Sequence, residues 1–144
     1  MTGTSRGAIL RRAIQTCIQP DDEALAKLGE LFHDEVTVWS PNMLAVGLAD
    51  LAENLAFREK AFSDVDIQID ALDIFANKGF AEFRVAATFS GPFVIHGKNE
   101  MVIEPRGQRL LLGAAAIADF EGGKIKALRA YFDDSTLLEQ MITA

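Results

Sequence analysis

From Val65 to Phe132 the hydrophobic residues of this chain recur with a period of two, whereas most of the preceding sequence repeats with the period of a helix. No other feature restricts the fold as much. A period of two sends successive side chains to opposite faces of a strand, and a period of 3.6 gathers them into one stripe. In the earlier part, Ile9, Leu10, Ala13, Ile14, Cys17 and Ile18 stand at helical spacing, and Pro20 ends that helix. Asp21 and Asp22 cap a second helix with Leu25, Leu28, Leu31 and Phe32 along one stripe. Val36 to Trp39 form a short strand closed by Ser40-Pro41. Gly47 precedes a third amphipathic helix carrying Leu48, Leu51, Leu55 and Phe62.

In the later part, "VDIQIDALDIFA" and "FAEFRVAATF" flank Asn77-Lys78-Gly79, which reads as a hairpin turn. "FVIHGKNEMVIE" and "RLLLGAAAIADF" are separated by Pro105 to Gln108, and Glu121-Gly122-Gly123 turns the chain into "KIKALRAYF". Asp133 to Met141 read as a short C-terminal helix, with Thr136 to Glu139 matching a capping box. Helices set apart from an antiparallel sheet predict an α+β domain. The expected form is a curved antiparallel sheet wrapped around the N-terminal helices, a cone with an internal pocket. With no linker, repeat or low-complexity segment, residues 1–144 are expected to form a single domain.

The net charge of −7 and a pI near 4.8 argue against nucleic acid, since no basic stripe is present to neutralise phosphates. No apolar run approaches the roughly 20 residues of a spanning helix, so no membrane association is expected. The N-terminus lacks the long apolar core and cleavage site of a signal peptide. The single cysteine, Cys17, excludes an internal disulfide and suits a reducing compartment, here read as the cytoplasm. Neither His33 nor His96 is spaced with other ligands as a metal site requires; no metal and no cofactor are expected.

The element order, together with "LFHDEVTVWSP", "FSGPF" and "FEGGKIKALRAYFD", resembles the nuclear transport factor 2-like superfamily. Within it, the chain is most similar to SnoaL-like polyketide cyclases and limonene-1,2-epoxide hydrolases, over nearly its whole length. The epoxide hydrolases carry Arg-x-Asp on a central strand and an Asp on the last strand, where two carboxylates activate a water. Here the corresponding strings are Arg84-Val85-Ala86 and Arg129-Ala130-Tyr131. The resemblance thus implies a site whose arginine survives and whose acids have become Ala86 and Ala130. Ketosteroid isomerases place a general base just before a proline on the first strand, where this chain has Ser40. A serine hydroxyl is too weak a base to take a proton from carbon unaided.

Candidate catalytic residues are Arg84, Ser40 and His96. Alternation puts Glu82, Arg84, Ala86, Thr88 and Ser90 on one face of a strand and Phe83, Val85, Ala87 and Phe89 on the other. Read from alternation alone, the phenylalanine face is core and Arg84 points to water. The resemblance implies the reverse, with Arg84 in the cavity, where it would bind a carboxylate or enolate oxygen. The apolar outer face would then be covered by a second subunit, implying a homodimer through the outside of the sheet. His96 reads as either an exposed turn residue or a group titrating near neutral pH.

"GAAAIA", Gly113 to Ala118, is unusual for a strand and reads either as close packing under a helix or as room left for a ligand. In the second reading the expected pocket comprises Val38, Trp39, Ala86, Thr88, Phe93, Ala114, Ala116, Leu128, Ala130 and Phe132. Such a lining suits a small hydrophobic ligand, a polyketide, terpenoid or steroid-like molecule. Three functions are compatible with it: a cyclase or isomerase without the usual Asp, a non-catalytic binding module, and a dimeric structural module.

Overall fold

A computed structural model describes residues 5–58, 61–95 and 99–143. Helix α1 (Arg6–Ile18) begins at Ser5, whose hydroxyl accepts from the Ala8 amide. The second stripe folds as two short helices, α2 (Asp22–Ala26) and α3 (Leu28–Leu31), separated at Lys27. As expected, Asp21 caps α2, its carboxylate accepting from the Ala24 amide at 2.7 Å. Phe32 leaves the helical stripe to start the first strand, β1 (Phe32–Ser40), which is longer than the expected Val36 to Trp39. Then follow β2 (Met43–Val46), α4 (Leu48–Arg58), β3 (Phe62–Phe75), β4 (Lys78–Phe89), β5 (Phe93–Ile95), β6 (Met101–Ile103), β7 (Arg109–Glu121), β8 (Lys124–Phe132) and α5 (Asp134–Ile142). Phe62, expected on the third helix, lies instead on β3.

Six strands make one sheet in the order β2-β1-β8-β7-β4-β3, antiparallel except where β1 runs parallel to β8. Strands β5 and β6 pair separately. The sheet is concave toward the helices, the architecture expected of the sequence. The main core joins Leu10 and Ile14 of α1, Leu31, Leu51 and Leu55 to Val36, Phe83, Ala116 and Leu128 of the sheet. A second, smaller core joins Met141 of α5 to Phe89, Ile103 and Leu110, with Phe62, Phe93, Leu137 and Leu138 packed around it. No helix among the described residues is long and apolar enough to cross a membrane.

Two details position these layers. Gly79 was expected in a turn, but it lies on β4 and the turn is Ala76-Asn77. A Cβ at Gly79 would come within 2.8 Å of Leu10 Cδ2, so a larger residue there would force the buried Leu10 side chain of α1 to shift. Arg6, at the start of α1, reaches both hairpin turns of the narrow end. Its guanidinium donates to the Ala76 carbonyl at 2.7 Å and to the Gly122 carbonyl at 3.0 and 3.2 Å, while lying over the Phe120 ring. At the other end, the Gln140 amide bonds both the Leu111 N–H and C=O at 2.8 Å, extending the sheet's pairing where β8 has ended. The N-cap of α5 is Asp133, whose carboxylate accepts from the Thr136 amide.

Candidate functional site

Cross-strand partners share a face, so the register decides which candidate residues meet. Ala116 pairs with Ala81 on β4 and with Ala130 on β8; Ala114 pairs with Phe83 and with Phe132. Ala81, Phe83 and Ala116 are buried under the helices, so all six stand on the concave face. Val38 lies abreast of Leu128, both buried, and two residues on, Ser40 reaches the level of Ala130. The structure thereby brings together Ser40, Val38, Ala114, Ala116, Leu128, Ala130 and Phe132.

It separates the rest. Arg84 and its neighbours Ala86 and Thr88 pair with Gly113, Leu111 and Arg109 on the convex face. The Arg84 side chain is 62% exposed and holds Asp70 through two bonds of 2.8 Å, Nε to Oδ2 and Nη2 to Oδ1. Asp70 is placed for this by a bulge between Ile69 and Ala71. Arg84 holds the Asp70 carboxyl below its ordinary range, chiefly by hydrogen bonding. The expectation that Arg84 enters the cavity is therefore corrected: Phe83 and Phe89, in the opposite phase of the strand, are the buried residues. The concave position beside Arg84 is Val85, not Ala86, so only Ala130 of the two alanines stands where a cavity carboxylate would. Trp39 is also convex, 41% exposed, with its ring 5.4 Å from Tyr131. Phe93 packs with Phe62 against the second core. His96 lies outside the described residues.

Both readings of the alanine run hold, for different residues. Ala116 and Ala118 are fully packed in the main core, as close helix packing requires, whereas Ala114 is only half-buried. The same partial exposure continues through Ile67, Val85, Leu112, Ala130 and Phe132. Ile67 faces Val85 and Val85 faces Leu112 across the sheet. Leu112, Ala130 and Phe132 pack into neither core. The result is a row of half-buried apolar side chains on the concave face between the two cores, here called the trough. Sequence reasoning missed Ile67 and Leu112. The alternation of Val65, Ile67 and Ile69 was the signal available for Ile67, whereas three consecutive leucines at 110–112 masked the phase of β7.

Among the described residues, no titratable side chain occupies the concave positions of β3, β4, β7 or the Leu128–Phe132 half of β8. Ser40 is the polar group at the trough's end. It is 6% exposed and its hydroxyl donates to the Asn42 side-chain oxygen at 3.0 Å, leaving lone pairs to accept from a ligand. The ionised groups are on the other side. Lys78 and Arg129 both grip Asp119 on the convex face, and they hold its carboxyl below the ordinary range, Lys78 contributing most. The concave row thus offers apolar surface and the Ser40 hydroxyl, with no ionisable group on these strand positions among the described residues.

The family model for SnoaL-like polyketide cyclases matches residues 8–141. A SnoaL-like polyketide cyclase from Agrobacterium tumefaciens superposes with a TM-score of 0.69 at 19% identity, covering 96% of this chain and 98% of that one. A protein with a ketosteroid isomerase-like fold from Catenulispora acidiphila, solved with trimethylamine, gives 0.72 at 15% identity over 96% and 94%. An LEH-like epoxide hydrolase from M. tuberculosis gives 0.64 at 12% identity over 92% and 88%. At these identities the likeness is one of fold. No match was found among curated proteins.

Proposed function

This chain belongs to the SnoaL-like polyketide cyclase family, and on that premise we propose that it binds a small hydrophobic metabolite, polyketide, terpenoid or steroid-like, in the concave trough. The observation that carries the reading is the break between the two cores, where Leu112, Ala130 and Phe132 remain half-buried and unpacked. Covering apolar surface yields about 25 cal/mol per Å², so a flat apolar ligand gains affinity there without charge. Ser40 supplies an oriented acceptor. Ala130, in place of an acid, leaves the trough without a base on its strands, so the reading is retention and orientation of the ligand. Cyclisation or isomerisation at this site would depend on proximity and orientation. Opening of simple epoxides is expected to be undetectable.

A second reading is supported by the convex face. Seven of the ten exposed large apolar side chains among the described residues lie there: Trp39, Leu44, Val46, Phe75, Phe80, Leu111 and Tyr131. We therefore read the chain as a homodimer through the outside of its sheet. The single half-buried cysteine agrees with a cytoplasmic setting.

The test is titration with Nile red, an uncharged apolar fluorophore. Saturable binding is expected, weakened about tenfold by Ala130→Leu and unchanged by Arg84→Ala. Binding that ignores Ala130→Leu but disappears with Trp39→Glu would place the ligand on the convex face and sink the trough reading.

A further inference from the structure

Beside the trough, α1 and α2 enclose an open cleft of about 460 Å³ whose floor includes Leu31 and Ile67. Ile67 is the first member of the Ile67–Val85–Leu112 row, so the cleft and the trough share a wall. The charges around the cleft are matched: two cations, Arg12 and Lys27, against two anions, Asp21 and Glu23. Each is already engaged. Lys27 holds Glu23 at 3.0 Å, Arg12 meets Glu30 at 3.6 Å, and Asp21 caps the Ala24 amide.

The neutral groups are not engaged. Gln15, Thr16 and Gln19 line the same cleft from the last turns of α1, and none of the described residues hydrogen-bonds their side chains. Thr16 is the telling case. It is only 7% exposed, yet its hydroxyl has no partner among the described residues. No buried side-chain oxygen or nitrogen among the described residues lacks a partner, so the Thr16 hydroxyl opens on the cleft, where a ligand can hydrogen-bond it in place of solvent. Both cations already face a carboxylate, Glu30 or Glu23, so an incoming carboxylate gains little from them and meets Asp21 and Glu23 nearby.

We infer that this cleft is the mouth of the trough and that it selects a ligand whose outer end is uncharged and hydrogen-bonding, a hydroxyl or carbonyl, over one ending in a carboxylate. The apolar body would lie along Ile67, Val85 and Leu112, with the polar end against Thr16 and the two glutamines. This inference rests on the trough reading above, and its test separates the two.

The experiment is an amide NMR titration of the full chain with naphthalene, 2-naphthol and 2-naphthoate at neutral pH, where the naphthol is uncharged. The expected result is shifts for 2-naphthol both at Val85 and Leu112 and at Gln15, Thr16 and Gln19, with Kd at least about fivefold below that of 2-naphthoate. Thr16→Val is expected to raise the naphthol Kd about three- to tenfold, the range of one hydrogen bond, and to leave the naphthalene Kd unchanged. Gln19→Ala, on an exposed cap, serves as the second variant and should act in the same direction. Equal or tighter binding of 2-naphthoate overturns the inference. So does naphthol binding at Val85 and Leu112 without response along α1, although the trough reading then stands. No response at Val85 or Leu112 to any of the three probes overturns both.

Discussion

Phe83 and Arg84 are neighbours in sequence and belong to different environments. Phe83 is 5% exposed in the main core, and Arg84 projects from the convex face beside Asp70. The same division runs through the whole sheet. Its concave side is apolar and interrupted by a trough, while its convex side carries the Arg84–Asp70 pair, the Lys78–Asp119–Arg129 group and most of the exposed large apolar side chains. Charge therefore does not mark the proposed ligand trough. The most reactive-looking residues lie on the side suited to another protein surface, and the bland ones line the space suited to a small molecule.

The strongest way to break that division is to truncate one residue on each side. Phe83→Ala should destabilise by about 3–5 kcal/mol, as expected for a buried aromatic. Arg84→Ala should cost far less, because its ion pair is solvent-exposed. Comparable losses in denaturant unfolding would mean the faces are misassigned. A second pair tests the two fates of the alanine run. Ala116→Leu should overpack the main core by about 1–3 kcal/mol, whereas Ala130→Leu should extend into the trough with a smaller effect on Tm and a weaker affinity for Nile red.

On the convex side, Trp39→Glu should raise the dimer dissociation constant by at least about tenfold, equivalent to 1.4 kcal/mol, in sedimentation equilibrium. A wild-type chain already monomeric at high concentration would remove the dimer reading and leave the trough reading untouched. The smallest effect is expected in acid. Asp119 has a folded-state pKa below its ordinary value, so its contribution is present above about pH 3.9 and is lost as pH falls toward the lower folded value. Melting curves at neutral pH and near pH 3 should show a smaller acid-induced decrease in Asp119→Asn than in the parent. An unchanged decrease would show that the Lys78–Asp119–Arg129 group does not contribute.

The sequence revealed the fold because the period change at Val65 is long and regular. It was less informative where one residue of phase mattered. Alternation already set Arg84 opposite the phenylalanines, but aligning Arg84-Val85-Ala86 with Arg-x-Asp shifted the strand by one position, which exchanges its faces. Ala130 escaped that error because its register through Ala116 agrees with burial on both strands. The trough was legible only in part: Ala114, Ala130 and Phe132 were expected to line it, and Leu112 was not. Leu112 looks like an ordinary core residue in any pattern of hydrophobicity, and only the packing shows that neither core reaches it. The cleft at Thr16 was hidden in the same way, since an engaged helical threonine and an unpartnered one are identical in sequence.

The grip of Arg6 on the Ala76 and Gly122 carbonyls also has a consequence in time. Those contacts span 70 and 116 residues of chain, so the first helix to be synthesised cannot complete its docking until both late hairpins exist. Closing such long loops early is entropically unfavourable. During synthesis, α1 can meet α3, β3 and β4 first, and its end at Arg6 is sealed only once the hairpin at Gly122 has been made. Arg6→Ala should accordingly speed unfolding more than it slows refolding, marking that seal as one of the last contacts made.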